Sequence, residues 1–366
     1  MLLETPCIVA DLAIIKKNIL QTQELCNSYG CNLRPHIKTH KSVEIARMQI
    51  EAGAVGITCA KVSEAEVMAD GGITDIFIAY PLIGESKLNR AMTLAKKLKR
   101  LILAVDSLIG AEALSQMAKK HGLKVEVRLE IDTGAKRTGV SVQNAVDLAL
   151  AISKLSNLQL SGLYTFKGMM HQSKPTTDKN EAALEECTLL HQISCALSEK
   201  GVKLKDLSAG STPTGLACAA TGLVNEVRPG TYVFYDQMCV LQGVCKQEDV
   251  AAHIVATVVS TPTPGYAIID GGSKTFPTDV ALNQPPFNAH SYAYVLGKDH
   301  LRLDRLNEEH GILRSFDESP TGLQIGDTLQ LSPNHICPAI NLQNYIWLKD
   351  GDTYRKLPID ARGMLI

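Results

Sequence analysis

The sequence contains no apolar run of about 18 residues, so no segment reads as a membrane-spanning helix. The first residues, Met1 to Lys17, lack a basic stretch followed by an apolar core and a cleavage site, which excludes a secretory signal. Neither sign of charge prevails: 37 Lys and Arg stand against 38 Asp and Glu, a formal charge of −1. A nucleic-acid binder with a basic footprint is excluded on that ground. With 45% apolar and 20% charged residues, the low-hydrophobicity composition of a disordered chain is also absent. None of the ten cysteines (Cys7, Cys26, Cys31, Cys59, Cys187, Cys195, Cys218, Cys239, Cys245 and Cys337) forms a C-x-x-C pair. Scattered thiols in a long chain read as reduced, and nine of these as small core hydrophobes. Together these absences make the cytoplasm the default expectation, with neither membrane nor nucleic acid as a partner.

The 366 residues allow roughly two domains of about 150 residues, or one large barrel with an extra module. Candidate strands are 32–36, 54–60, 75–80, 101–106, 125–132, 158–166, 206–210 and 226–234. Amphipathic helical patterns separate most of them, at 42–51, 63–69, 85–98, 108–120 and 142–154, with another at 14–25. Strands spaced by helix-length segments imply βαβ units and a parallel sheet. Eight repeats in about 235 residues fit a (β/α)8 barrel of the TIM type. Beyond residue 245 the pattern changes to strands at 250–260, 266–270 and 328–331, broken by Gly/Pro turns such as Thr263-Pro264-Gly265. The expected division is a barrel over 12–245 and a smaller, mostly β domain over 246–366 together with 1–11.

Active sites of such barrels lie at the carboxyl ends of the strands, and ionisable residues gather at the expected ends. Arg34-Pro35-His36-Ile37-Lys38-Thr39-His40-Lys41 sets Lys38 at the mouth of the first strand between two histidines. A desolvated lysine with cationic neighbours becomes an amine nucleophile toward an aldehyde; the plainer alternative is a solvated basic loop. Ser332-Pro333-Asn334-His335-Ile336-Cys337-Pro338 gives an imidazole and a thiolate at a spacing of two, one face of a strand and suitable ligands for zinc. A core cysteine beside a turn histidine is the plainer reading there. Asp132 to Arg137 offers an acidic strand end, a glycine turn and a fixed cation, or simply a helix start with a solvated arginine. Ser208 to Thr214 and Asn225 to Tyr232 supply hydroxyls and glycine amides suited to phosphate, a weak signal alone. Glu308-Glu309-His310-Gly311 reads as a solvated turn before an acid/base pair.

Their order is more specific than any one of them. A lysine after strand one, an arginine after strand five, phosphate loops after strands seven and eight, and then a β domain resemble the fold-type III pyridoxal-phosphate enzymes, the alanine racemase-like barrel. Arg34-Pro35-His36-x-Lys38-x-His40-Lys41 with His335-x-Cys337 narrows this to a resemblance to the D-threonine aldolase/D-serine dehydratase family. It runs from Thr5-Pro6 through Glu309-His310-Gly311 to Ala361-Arg362-Gly363. It implies that Lys38 holds the cofactor, flanked by His36 and His40 as catalytic candidates. It sets Ser211, Thr212, Gly230 and Tyr232 near the phosphate, and Arg137 near the ring or the substrate carboxylate, with Phe166 as the aromatic face. His335 and Cys337 would bind a divalent metal, zinc by thiolate preference or manganese, and the protein would be a homodimer. One departure stands out. The family carries Tyr-x-Gly-His after strand six, whereas here the segment is Phe166-Lys167-Gly168-Met169-Met170-His171. The hydroxyl is gone and the histidine lies two positions later, which puts the loop's acid/base role in question.

The implied activity is a lyase acting on β-hydroxy-D-amino acids. Retro-aldol cleavage to glycine and an aldehyde comes first, and elimination to a keto acid and ammonia second. An amino-acid racemase needs a second base opposite Lys38, for which no racemase-like tyrosine motif is evident. A non-catalytic pyridoxal-phosphate carrier is the alternative of a different class, and the β domain with His335-x-Cys337 counts against it.

Overall fold

Strand and helix alternate from the amino terminus to residue 230, as the apolar spacing predicts. The computed structural model describes residues 3–366. After β1 (Cys7–Asp11) come α1 (Leu12–Ser28), β2 (Asn32–Leu33), α2 (Val43–Glu51), β3 (Ile57–Cys59) and α3 (Val62–Asp70). Next are β4 (Asp75–Ile78), α4 (Glu85–Lys97), β5 (Arg100–Val105), α5 (Leu108–Lys120), β6 (Val125–Asp132) and the short β7 (Val140–Ser141). Then follow α6 (Ala145–Ser153), β8 (Leu158–Thr165), a hairpin of β9 (Met170–His171) and β10 (Lys174–Pro175), and α7 (Lys179–Glu199). The set ends with β11 (Asp206–Ala209), α8 (Gly215–Ala220) and β12 (Glu226–Val227). Eight parallel strands run β2-β12-β11-β8-β6-β5-β4-β3. The ring closes through the bridge between His36 and Thr58, where Ile37 N donates to Thr58 O at 2.9 Å and Thr58 N to Pro35 O at 2.8 Å.

Some strands are shorter than the residue pattern suggests. The first stops before Pro35 and the eighth before Pro229, because proline has no amide to give the ladder. Thr231–Val233 is then a turn of 3-10 helix rather than strand. Helix α7 falls outside the apolar pattern. Its buried face does repeat at helical spacing, but Glu186, Cys187 and two alanines occupy it beside Leu190, Ile193 and Leu197.

Two compact units divide the chain. The barrel unit comprises Leu20–Lys38, Val43–Gly230 and Met364–Ile366; the β unit takes the chain up to Ile19, Thr39–Ser42 and Thr231–Gly363. The apolar pattern changes at 245, whereas packing divides the chain after Gly230. The segment beyond it bonds within the β unit: Ala251 N donates to Phe234 O at 2.7 Å and Met238 N to Asn334 O at 3.0 Å. In that unit β13 (Ala252–Thr263) pairs with β1, β14 (Tyr266–Ile269) and β18 (Thr328–Pro333). The other strands are β15 (Ala293–Val295), β16 (Leu301–Leu306), β17 (Gly311–Ser315), β19 (Tyr345–Asp350) and β20 (Thr353–Pro358). Two short helices, α9 (Gln237–Leu241) and α10 (Ile336–Leu342), complete it. Among the described residues no helix is long and apolar enough to cross a membrane. All ten cysteines are free; Cys195 is exposed and Cys245 and Cys337 are half-buried, so the core role holds for the other seven.

The barrel interior is ionic at the end where its strands begin. Glu226 accepts from Arg34 Nε at 2.8 Å and from Arg128 Nη1 at 2.5 Å. Arg128 Nη2 reaches Asp206 at 2.9 Å, which also takes Arg100 at 2.8 Å. Arg100 lies 3.8 Å from Asp75, and Asp75 returns to Arg34 at 2.5 Å. Three arginines and three carboxylates thus form a closed ring. Burial alone would raise the Glu226 pKa, but the charges of Arg128 and Arg34 hold it well below the usual carboxylate range.

Replacing Glu226 by Gln leaves two buried guanidiniums undercompensated, and we expect a loss of about 3–5 kcal/mol in denaturant unfolding. Asp70→Asn, which breaks an exposed pair with Lys97, should cost under about 1 kcal/mol. Because the folded pKa of Glu226 is depressed, its contribution is complete above pH 4.5 and is lost as pH falls below that. The Gln variant should therefore show a weaker acid-induced loss of stability.

Candidate active site

The barrel unit gathers its reactive groups at the opposite end, where the strands finish. Phe166 follows β8 and is the common neighbour: Lys38 Nζ lies 5.8 Å and the Arg137 guanidinium 4.5 Å from its ring centroid. Lys38 is exposed rather than desolvated, which corrects the expected means of activation, because the side chain leaves the strand end over an aromatic face instead of entering the core. Arg137 is fixed from below. Asp132, read as a possible ligand grip, spends Oδ1 on the amides of Gly134 at 2.9 Å and Lys136 at 3.0 Å. Thr138 Oγ1 donates to Glu130 at 2.8 Å, and Glu130 also accepts the Tyr164 hydroxyl at 2.8 Å.

The turn after β11 is built for close approach. Gly210 has φ +80, and a Cβ there would stand 2.7 Å from Gly215 Cα. Ser211 N donates to Thr214 Oγ1 at 3.1 Å, and Gly230 N to Thr212 Oγ1 at 3.1 Å. Ser211, Thr212 and Gly230 are therefore brought together, with hydroxyl and amide donors of the kind a phosphate takes. Tyr232 is fully buried in the 3-10 turn and belongs to the β unit. His36 Nδ1 accepts the Lys38 amide at 3.3 Å, and His40 Nδ1 accepts the Ser42 amide at 3.1 Å. Both imidazoles thus hold backbone turns. Lys41 is buried, with Nζ 3.3 Å from Ala361 O, a structural position.

In the β unit the His-x-Cys pair does not lie on a strand. Pro333 ends β18, His335 caps α10 and Cys337 sits in its first turn. The pair remains close through the cap geometry instead of strand alternation. His335 Nδ1 is 2.5 Å from Asp279 Oδ2, which leaves Nε2 for a metal, and a carboxylate behind a ligating imidazole is a recurrent arrangement. Asp279 lies in a Gly/Pro-rich loop without periodicity, so no sequence signal marks it. Cys337 Sγ is 3.1 Å from Thr39 Oγ1, and Thr39 follows Lys38 in the chain. Asp236 is buried and fixes the helix start, accepting from Ile336 N at 3.1 Å. An imidazole, a thiol and a supporting carboxylate suit zinc with open positions, although among the described residues no group of three or more metal-ligating side chains occurs. The Glu308-Glu309 turn is exposed, both carboxylates paired with Lys274 at 3.0 and 2.8 Å, as the plainer reading expects.

An amine and a guanidinium beside one aromatic ring, with an anion-receptive turn at neighbouring strand ends, suit a phosphorylated aldehyde better than a hydrolytic or redox centre. The barrel and these groups define a pyridoxal-phosphate enzyme of the alanine racemase-like class. The alanine racemase N-terminal domain matches residues 10–237, and the putative serine dehydratase domain matches 251–348. D-threo-3-hydroxyaspartate dehydratase of Delftia sp. (strain HT23) is 34% identical over 348 residues, 92% of this chain and 91% of that one. Its structure aligns with a TM-score of 0.89 at 33% identity, over 97% of both chains. D-threonine aldolase of Arthrobacter sp. is 30% identical over 366 residues, 98% of this chain and 93% of that one. The D-threonine aldolase structure from Filomicrobium marinum aligns at TM-score 0.87 and 28% identity, covering 100% and 97%. The chain belongs to the D-threonine aldolase/D-serine dehydratase family of fold-type III pyridoxal-phosphate enzymes, a family of lyases.

Burial alone would lower the His335 pKa, but the Cys337 sulfur, Asp279 and Asp236 hold it up to about 10 from an ordinary 6.5. In metal-free protein the imidazolium's stabilising contribution is complete below pH 6.5 and lost as pH rises toward 10. We expect NMR titration of Asp279→Asn to move His335 back toward 6.5; an unchanged titration would deny Asp279 that hold.

Proposed function

We propose that this protein is a pyridoxal-phosphate- and divalent-metal-dependent lyase of β-hydroxy-D-amino acids. The observation that carries the reading is the convergence of Lys38 and Arg137 on the Phe166 ring in a unit that also holds the Ser211–Thr212–Gly230 cluster. When bound, pyridoxal phosphate supplies an electron sink for cleavage at Cα and the metal a Lewis acid for the β-hydroxyl. Lys38 would hold the cofactor through Nζ, the atom that could also take or return the Cα proton. The Ser211 and Thr212 hydroxyls, with the backbone at Gly230, would bind the phosphate, and Tyr232 is a further candidate. Arg137 pairs with the substrate carboxylate as a guanidinium fork. Phe166 covers an apolar face but has no hydroxyl to move a proton. His36 and His40, next to Lys38 in sequence, are candidates for proton handling. His335 and Cys337 hold the metal, with zinc preferred by the thiolate, and Asp279 orients His335. The barrel unit would be the cofactor domain and the β unit the metal-bearing one. A homodimer in the cytoplasm completes the reading.

Two bonds are candidates for cleavage. Retro-aldol scission is the first reading, in keeping with relatives named D-threonine aldolase and 3-hydroxy-D-aspartate aldolase. Elimination is the second, in keeping with relatives named D-threo-3-hydroxyaspartate dehydratase and D-serine dehydratase. The Delftia dehydratase has been solved with alanine at a histidine and at a cysteine two positions further on, the latter in a metal-free form. His335-x-Cys337 has the same spacing.

NMR product analysis with D-threonine, pyridoxal phosphate and zinc or manganese separates the bonds. Glycine and acetaldehyde are expected for aldol cleavage, 2-oxobutanoate and ammonia for elimination; racemisation alone would overturn the lyase reading. Lys38→Ala should lose the visible absorbance of the bound cofactor, and retained absorbance with full activity would remove Lys38 from its role. Cys337→Ala should keep that absorbance and lose the response to added metal and to chelator. A chelator response matching the parent would reject the metal pair.

A further inference from the structure

The two strand-end loops of the barrel unit share one support that the reading above does not use. Glu185 and Glu186 are consecutive on α7, and consecutive helical side chains diverge by about 100°, so neighbours can serve different loops. Glu186 is fully buried. Its Oε1 accepts from Gly210 N at 3.1 Å, Thr214 Oγ1 at 3.3 Å and Cys218 Sγ at 3.0 Å. It thus ties the left-handed glycine of the turn to the first turn of α8 and to Thr214, which in turn holds Ser211. Glu185 gathers the segment after β8. Its Oε2 accepts from buried Lys167 Nζ and from Gln172 N at 2.9 Å, and His171 Nδ1 lies 3.2 Å away.

We propose that Glu185 and Glu186 are positioning residues, Glu186 holding the Gly210–Thr214 turn in the shape that receives a phosphate and Glu185 fixing the 166–172 segment that carries Phe166. The proposal rests on the functional reading above and deepens it by naming what shapes the phosphate receptor. The electrostatics agree with the division of roles. Burial pushes the Glu186 carboxyl up, against the opposing influence of Cys218 and the Arg228 and Lys167 charges. Burial would also raise Glu185, but Lys167 and the Gln172 amide keep it below the usual range, as an anion that pins a buried lysine. The displaced histidine acquires a place by the same geometry: His171 stands beside Glu185 as part of this anchor.

The test compares two probes on the full-length apoenzyme, pyridoxal 5'-phosphate and pyridoxal without the phosphate, each titrated by absorbance. Glu186→Ala should weaken pyridoxal phosphate by about tenfold or more, the size expected when one hydrogen bond between a charged group and a buried donor is lost. Pyridoxal should change by less than about threefold, and Glu186→Gln, which keeps an acceptor at Oε1, should recover part of the loss. Equal weakening of both probes, or phosphate-dependent affinity within about twofold of the parent in a folded variant, would overturn the proposal. Should Glu186→Ala fail to fold, the ratio of the two affinities in Glu186→Gln decides by the same criterion. Glu185→Gln should leave the phosphate-dependent ratio unchanged while altering the circular dichroism of the bound cofactor, because Phe166 loses its fixed segment; an unaltered signal would remove Glu185 from the scheme. A parent enzyme that binds neither probe would instead refute the cofactor reading itself.

Discussion

Glu226 lies between two arginines that have no access to water, and the barrel's interior depends on that arrangement. Arg34 and Arg128 are both fully buried, and neither can shed its charge at neutral pH. A carboxylate shared between them is the condition for placing either one inside. The ring that follows, Arg34–Glu226–Arg128–Asp206–Arg100–Asp75, draws on six places around the sheet. It balances three positive charges with three negative ones at the end where the strands begin. A hydrocarbon core could have filled the same space. Each ion pair here also carries angular requirements, so the ring favours one register of strands over its neighbours.

That choice separates stability from chemistry along the barrel axis. Above the ring, Ser208 Oγ bridges Glu226 at 2.6 Å and Arg228 at 2.5 Å, and Arg228 continues to Thr165 O at 2.6 Å. Phe77 and Tyr164 meet edge to face at 5.0 Å beside it. Thr165 precedes Phe166 in the chain, so polar contacts run without interruption from the ring to the ends of the strands.

The architecture was legible because its signal is local and periodic: alternating strand and helix spacings and a change of period, placed at 245 by the apolar pattern and at Gly230 by packing. Lys38, Arg137 and the Ser211–Thr212 turn were legible because they fall at strand ends, where a barrel places its chemistry. Asp279 and Glu186 were not. Each acts on a group far away in sequence, and each sits in a segment whose own pattern is unremarked: a Gly/Pro loop for one, a helix face diluted by small residues for the other. Arg34 shows the converse difficulty. Its place in Arg34-Pro35-His36-x-Lys38 makes it look chemical, whereas its buried guanidinium belongs to the ion ring. His335 and Cys337 were paired for the wrong geometric reason, since a helix cap, not a strand, holds them near one another.

The Phe166 ring shows how the altered loop stays compatible with an anionic cofactor. Two cations within 6 Å of one aromatic ring repel each other, and the ring's negative faces offset that only in part, each contact contributing about 0.5–1 kcal/mol at an exposed site. A bound group that brings negative charge between Lys38 and Arg137 relieves this repulsion and gains both attractions at once. The hydroxyl of a tyrosine would add a proton donor there but is not needed for that electrostatic gain. Residue 166 therefore offers no phenolic proton donor, while Lys38 and Arg137 keep their places beside its ring.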